Sequence, residues 1–170
     1  RVVDSQAAGL IWPSMQFEVA ENCMTCHGLA HPNLKADDLA KMLGAGHPIN
    51  TNFELVKYSQ GSVRHRHYPP DIKTNAEMTP QELANIYAVG QAAALVSATE
   101  AMSKSSEEKY KEAQKKRVEI AKGALSGISE ASGLLAAPTR QNALSFVKSI
   151  AGKDLTGAIG SKLPAKSDYK

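Results

Sequence analysis

The chain has 170 residues, 18.2 kDa, and a formal net charge of +3. Hydrophobic residues make up 42%, enough for a packed core and too many for wholesale disorder. Two cysteines exclude a disulfide framework and a four-thiolate zinc site. No apolar run approaches the roughly 18 residues that span a bilayer, so no transmembrane segment is expected. There is no basic-then-apolar leader, and Arg1 as first residue fits a processed or trimmed chain, so any signal peptide is expected to be gone or never to have existed. Only one Trp, three Phe and five Tyr are present, so the core must come from Ala, Leu, Ile and Val, or from a non-protein body. Residues 1–100 carry 7 Lys+Arg against 10 Asp+Glu, and residues 101–170 carry 13 against 7. The basic half interleaves Lys with Glu and offers no aromatic stacking platform, which speaks for a solvated helix face and against nucleic acid.

In chain order, residues 1–14 are mixed, with Trp12-Pro13 as punctuation, and residues 15–28 form a short apolar approach to CMTCHG. KADDLAKML, residues 35–43, predicts about two turns of helix stopped by Gly44 and Gly46. Residues 46–78 are rich in Pro, Asn, Gly and His without a sustained period, which predicts an ordered loop region with little regular structure. Thr79-Pro80-Gln81-Glu82 is a capping box with Pro at the first helical position, opening a helix with Leu83, Ile86, Tyr87, Ala94 and Leu95 on its apolar positions. Ser105-Ser106-Glu107-Glu108 reads as a second capping box. After it, Tyr110, Val118, Ala121, Leu125, Ile128 and Leu135 fall on one helical face, weakened by Gly123, Gly127 and Gly133 before Pro138. Ala143, Leu144, Val147 and Ile150 define a shorter helix ending near Gly152, and the polar last ten residues are expected to fray. No strand pattern and no internal repeat is present. The expected fold is all-α: a domain with long irregular loops over residues 1–102, then a helical hairpin or bundle-like extension over 103–170, packed on it or continuous with it.

Cys23-Met24-Thr25-Cys26-His27 is a C-x-x-C-H motif, the attachment pattern of c-type haem, which makes residues 1–102 an expected c-type haem domain. Two thiols on one turn of chain reach two vinyl groups of one porphyrin as thioethers, and the adjacent histidine lies under the iron. A redox C-x-x-C pair would need a βαβ setting, and half a zinc site would need a second cysteine pair; the sequence supplies neither. The expected cofactor is one haem c, attached through Cys23 and Cys26. Such a body would also stand in for missing aromatics in the core.

The sixth ligand is less constrained. His31 lies four residues past His27, on the proximal side or the haem edge. His47 sits in Gly46-His47-Pro48, where glycine permits close approach to a flat cofactor and proline stiffens the segment. His65 and His67 are flanked by Arg64 and Arg66, cations suited to haem propionates, as Lys57 also is. A single loop histidine is more often a solvated side chain; a haem nearby raises the chance that one of them binds iron. Met78 precedes Thr79-Pro80, and Tyr68 stands where a Met-Pro-Pro ligand would be expected, which argues against a simple His/Met site. The order of candidates is His47, then His65, then Met78 or an open site.

The stretches CMTCHGLAHPNL, GHPINTNFELVKYSQGSVRH and ELANIYAVGQAAAL resemble a family of bacterial extracytoplasmic c-type cytochromes, many of them multihaem. The resemblance spans roughly residues 20–125, is specific in its haem motif and suggestive elsewhere. It implies electron transfer and bis-histidine haems, with His27 proximal and His47 or His65 distal. This chain carries a single haem motif, so one of those two histidines would serve a neighbouring haem in relatives, or a haem on a partner subunit.

The expected function is a monohaem electron carrier, free or within a larger redox complex, periplasmic or otherwise extracytoplasmic in a bacterium. Its partner would be a redox protein, met through the basic region from Lys104 to Lys122; the helical half could also pair chains into a homo- or hetero-oligomer. The alternative is a haem-based ligand sensor with an open or displaceable sixth site. A peroxidase or nitrite reductase would need distal acid–base groups, which His65 or His67 could supply, but no catalytic motif accompanies the haem segment. An electron carrier is therefore expected rather than a catalyst.

Overall fold

The computed structural model describes residues 2–12, 14–61 and 77–170, and within them the chain is helical with no strand. The helices are α1 (Val2–Ala7), α2 (Gln16–His27), α3 (Ala36–Gly44), α4 (Leu55–Gln60), α5 (Pro80–Lys104), α6 (Glu108–Leu125), α7 (Ser132–Ala136), α8 (Arg140–Ile150) and α9 (Thr156–Ile159). Three short 3₁₀ turns, Ser129–Ala131, Gly160–Lys162 and Lys166–Asp168, link or follow the last of them. The all-α expectation holds.

The long helix α5 is the axis of the fold. It is buried on nearly every side from Ala84 to Ala98, and α2, α4, α6, α8 and α9 all pack against it. A helix apolar all round must be surrounded. Ala84, Ala88, Ala92, Ala93, Ala94 and Ala98 keep its surface thin, so five neighbours can approach it closely. The scarcity of aromatics is met here by small side chains rather than by large ones. One continuous cluster of buried residues runs from Phe17 on α2 to Ile159 on α9, taking side chains from both sides of position 102. A second, smaller cluster joins Leu29, Leu39, Ala40, Ala101 and Tyr110.

The start of α5 is as the sequence predicts. Thr79 Oγ1 accepts from the Glu82 N–H at 3.3 Å, and Glu82 Oε2 accepts from the Thr79 N–H at 2.7 Å. The second box does not form. The cap of α6 is Glu107, whose side chain makes no capping bond, while the Ser105 hydroxyl accepts from the Glu107 N–H at 3.1 Å. The serine is used as a local turn, and the helix begins two residues later. Beyond α6 the predicted face is divided: the helix ends at Leu125, and Ile128 and Leu135 reach the core from a 3₁₀ turn and α7. On α8 the buried side chains are Ala143, Phe146 and Ile150, with Leu144 and Val147 at the margin. Arg140 ties α8 to α2, donating to Glu21 at 2.9 Å across the Phe17 ring.

Two predicted irregular regions carry more structure than expected. Residues 55–60 form α4, capped by the buried carboxylate of Glu54, which accepts from the Val56 and Lys57 N–H groups at 2.8 and 2.6 Å. The polar tail does not fray. The Lys170 N–H donates to the Lys57 carbonyl at 2.9 Å, Tyr169 packs at the edge of the core, and Lys166 pairs with Glu77 at 2.6 Å. The backbone of Lys170 lies against Gly61, where a Cβ would fall on its carbonyl. Gly61→Ala therefore displaces the tail, with a loss of about 1–3 kcal/mol in urea unfolding and faster tryptic cleavage at Lys162 and Lys166. Wild-type cleavage rates in the variant would contradict this docking.

Candidate functional site

Cys23, Cys26 and His27 lie on the last turn of α2. Their spacing of i, i+3 and i+4 puts two sulfurs and an imidazole on one face of one turn. The adjoining flank of the helix buries Phe17, Ala20 and Met24 against the core, which sets the rotation of α2. Cys23 is half-buried at the edge of the main cluster and Cys26 is exposed; both thiols are free. Burial pushes the Cys23 thiol above its ordinary range, and the neighbouring Cys26 adds to that rise. Thr25 Oγ1 donates to the Asn22 carbonyl at 2.7 Å and lies 3.6 Å from the Cys26 sulfur.

The imidazole of His27 is stacked on Phe53, with ring centroids 4.0 Å apart and an interplanar angle of 8°. Tyr58 on α4 completes the cluster, 5.4 Å from His27 and 4.8 Å from Phe53. The Asn50 N–H donates to the His27 carbonyl at 3.1 Å, and the Asn50 side chain donates to the Tyr58 hydroxyl at 3.2 Å. The segment after α3 is thus bound both to the end of α2 and to the aromatic pair.

That segment carries His47. Gly46, at φ +96°, turns the chain out of α3, and the His47 N–H donates to the Met42 carbonyl at 2.9 Å. The ring is exposed, with Nδ1 2.8 Å from the Pro48 carbonyl. The carbonyl only accepts, so Nδ1 carries a proton, and in the neutral ring Nε2 keeps its lone pair. His31 Nδ1 accepts from the Asn33 N–H at 3.2 Å. Met78 is buried in the main cluster, its N–H donating to the Gln60 side chain at 3.2 Å. Lys57 sits on α4. Arg64, His65, Arg66, His67 and Tyr68 lie outside the described residues.

Polar side chains of α6 close the end of α2. The last carbonyls of α2 are taken by the Gly28, Leu29, Ala30 and Asn50 N–H groups, which leaves the carbonyls of Gly28 and Leu29 themselves. Here Tyr110 Oη donates to the Leu29 carbonyl at 2.6 Å, and Gln114 and Arg117 donate to the Gly28 carbonyl at 3.0 and 3.2 Å. Arg117 also reaches Gln114 Oε1 at 2.6 Å, Met24 Sδ at 3.3 Å and Ser97 Oγ at 3.5 Å. It is 3% exposed, and among the described residues no carboxylate forms an ion pair with it. Burial pushes the guanidinium down to about 10, which still leaves it charged at neutral pH. The backbone of Gly28 is right-handed, but a Cβ there would collide with the Arg117 guanidinium and with the Met24 carbonyl. The left-handed position is taken instead by Leu29, at φ +47°. That conformation costs a branched residue about 1–2 kcal/mol, offset by burial of its side chain in the second cluster.

Two cavities adjoin the region. One of about 640 Å³ opens between α2, α5 and α8, lined by Phe17, Met78, Ile86 and Val89 among others. One of about 140 Å³ lies beside Thr25, His31, Leu39 and Val96. Neither is lined by Cys23, Cys26 or His27.

The sequence marks the triplet and His47 as candidates but gives little sign of the residues packed around the triplet. Phe53 and Tyr58 stand in a segment without periodicity, which leaves no signal. Tyr110 was read as one apolar position, yet Gln114, Arg117 and Ala121 continue its spacing of three and four, and two polar residues on a buried stripe are a usable signal. No family model, curated protein or solved structure matches this chain.

Two outcomes are expected. In the reduced protein, iodoacetamide alkylates Cys26 several-fold faster than Cys23, as read by timed mass spectrometry; the reverse order would contradict the burial difference. Burial also raises the Glu54 carboxyl above its ordinary 4.5. The folded state then holds a proton the unfolded chain releases, so this contribution is full below about 4.5 and is lost as pH rises through the raised value. Glu54→Gln removes that fall in stability, measured by urea titrations between pH 4 and 7; an unchanged pH slope counts against it.

Proposed function

We propose that this chain is a monohaem c-type cytochrome that carries electrons, with one haem attached through Cys23 and Cys26 and His27 as proximal ligand. The observation that carries the reading is the placing of two free thiols and an imidazole on one face of the last turn of α2. The donor set fits this group. Each thiol can add its S–H across one vinyl double bond, with no oxidant needed. The exposed Cys26 is open to a large flat partner, while half-buried Cys23 fixes the inner edge. Among the described residues no three His, Cys, Asp or Glu groups, the triplet included, gather as a cage for a bare ion.

When bound, the haem supplies one-electron chemistry at its iron. The chain's own residues do the rest. His27 is oriented by Phe53 beside its ring and by Asn50 on its carbonyl. His47 is the favoured distal ligand: its Nδ1–H on the Pro48 carbonyl selects the tautomer that leaves Nε2 to bind metal. Bis-histidine ligation would set a lower potential than His/Met. His65 and Met78 are the alternatives, with Arg64 a candidate propionate contact. Exposed lysines of α6, among them Lys109, Lys115 and Lys116, would steer an acidic redox partner toward the molecule. The same helical half could join chains into an oligomer. Covalent haem attachment in bacteria takes place outside the cytoplasm, so an extracytoplasmic, periplasmic setting goes with this reading.

A ligand sensor is the second reading, favoured by one fact: the His47 ring is exposed, so its hold on a sixth position is displaceable. Expression with a cytochrome c maturation system, followed by denaturing mass spectrometry and a pyridine haemochromogen spectrum, tests the main reading. One haem per chain is expected in the wild type and none in Cys23→Ser/Cys26→Ser. A chain that stays haem-free under those conditions would overturn it. In the loaded protein, His47→Ala is expected to abolish the near-infrared bis-histidine signature. A ferrous wild type that binds CO at once would favour the sensor.

A further inference from the structure

Arg117 does more than close a helix. Tyr110 and Gln114 already donate to the Leu29 and Gly28 carbonyls, the two acceptors left at this end of α2. The bond from Arg117 to the Gly28 carbonyl repeats what a neutral amide provides. The guanidinium is nevertheless buried, and among the described residues every acceptor around it is neutral: the Gly28 carbonyl, Gln114 Oε1, Met24 Sδ and Ser97 Oγ. A buried charge held only by neutral groups is costly. Room for this one is made by Gly28, the residue after the C-x-x-C-H motif. The negative end of the α2 dipole lowers the cost of holding a cation there. The charge stands against Met24, inside the motif, next in sequence to Cys23 and within one turn of Cys26 and His27.

We propose that Arg117 is a positioning residue for the Cys23–His27 site whose buried positive charge raises the affinity of that site for an electron. This rests on the haem reading above. An oxidised centre carries one more positive charge than a reduced one, so a fixed cation in a poorly screened setting disfavours the oxidised form. Gln114 serves as the neutral bracket that aims the guanidinium, with its Oε1 2.6 Å from Arg117 Nη1.

The test uses the haem-loaded protein. Haem content is measured first by the haemochromogen spectrum, and then the midpoint potential by spectroelectrochemical titration at fixed pH and ionic strength. Arg117→Gln is expected to lower the potential by about tenfold in the one-electron equilibrium constant, about 59 mV, with haem content unchanged. Arg117→Lys, which keeps the charge but loses the planar fork, is expected to stay near wild type. Gln114→Glu leaves the arginine in place and sets a carboxylate against it; it is expected to lower the potential in the same direction and decides the matter if Arg117→Gln fails to fold. An unchanged potential in a fully loaded Arg117→Gln, or in Gln114→Glu when that variant decides, would overturn the proposal, as would an Arg117→Lys as low as Arg117→Gln. Those results would leave the haem reading intact. A haem-free wild type would instead sink both at the first measurement.

Discussion

The chain just past α2 buries two carbonyls, those of Gly28 and Leu29, and the rest of the molecule is arranged around how they find donors. Tyr110, Gln114 and Arg117 reach those carbonyls from α6 because their spacing of four and three puts all three on one stripe. That stripe faces α2 only because both helices lie against α5. The same contacts force a glycine at position 28 and push the left-handed turn onto Leu29. The Cys23–His27 turn is therefore rigid on its core side and open on its other side. A site that must hold a large group in one orientation needs both properties.

The core provides that rigidity with small side chains. Six alanines between positions 84 and 98 let α5 accept five neighbours at close range, so the contact area lost to short side chains is regained by number of contacts. The aromatic side chains are then free for other places. Phe53 and Tyr58 are spent on the His27 ring, and Tyr110 on a buried hydrogen bond. The docked tail supports the same region from behind, since Lys170 holds α4 at Lys57, next to Tyr58.

Charge follows the same division. The lysine-rich face of α6 is solvated, and its pairs, such as Lys111 with Glu108 at 2.7 Å, are exposed ones that add little to stability. The cation on the opposite, buried face of the helix is Arg117, held only by neutral groups among the described residues. One helix thus carries a surface field toward solvent and a single fixed charge toward the candidate site.

Local chemistry alone determined several features of this protein. The Thr79–Glu82 box starts α5 because its two bonds lie within four residues. The C-x-x-C-H triplet shares a helical face because the spacing of three and four demands it once α2 is helical. The all-α class follows from the absence of any alternating pattern. Tertiary structure decided the rest. Ser105–Glu108 has the letters of a capping box, yet Ser105 bonds back onto Glu107 as α5 hands over to α6. Residues 55–60 are too short to hold a helix in water and form one because a buried Glu54 caps it against α5. The tail looks soluble and docks because Gly61 leaves its backbone a seat. The partners of His27 and of the α2 terminus come from residues more than twenty positions away, and nothing in a local pattern encodes which distant side chains will meet.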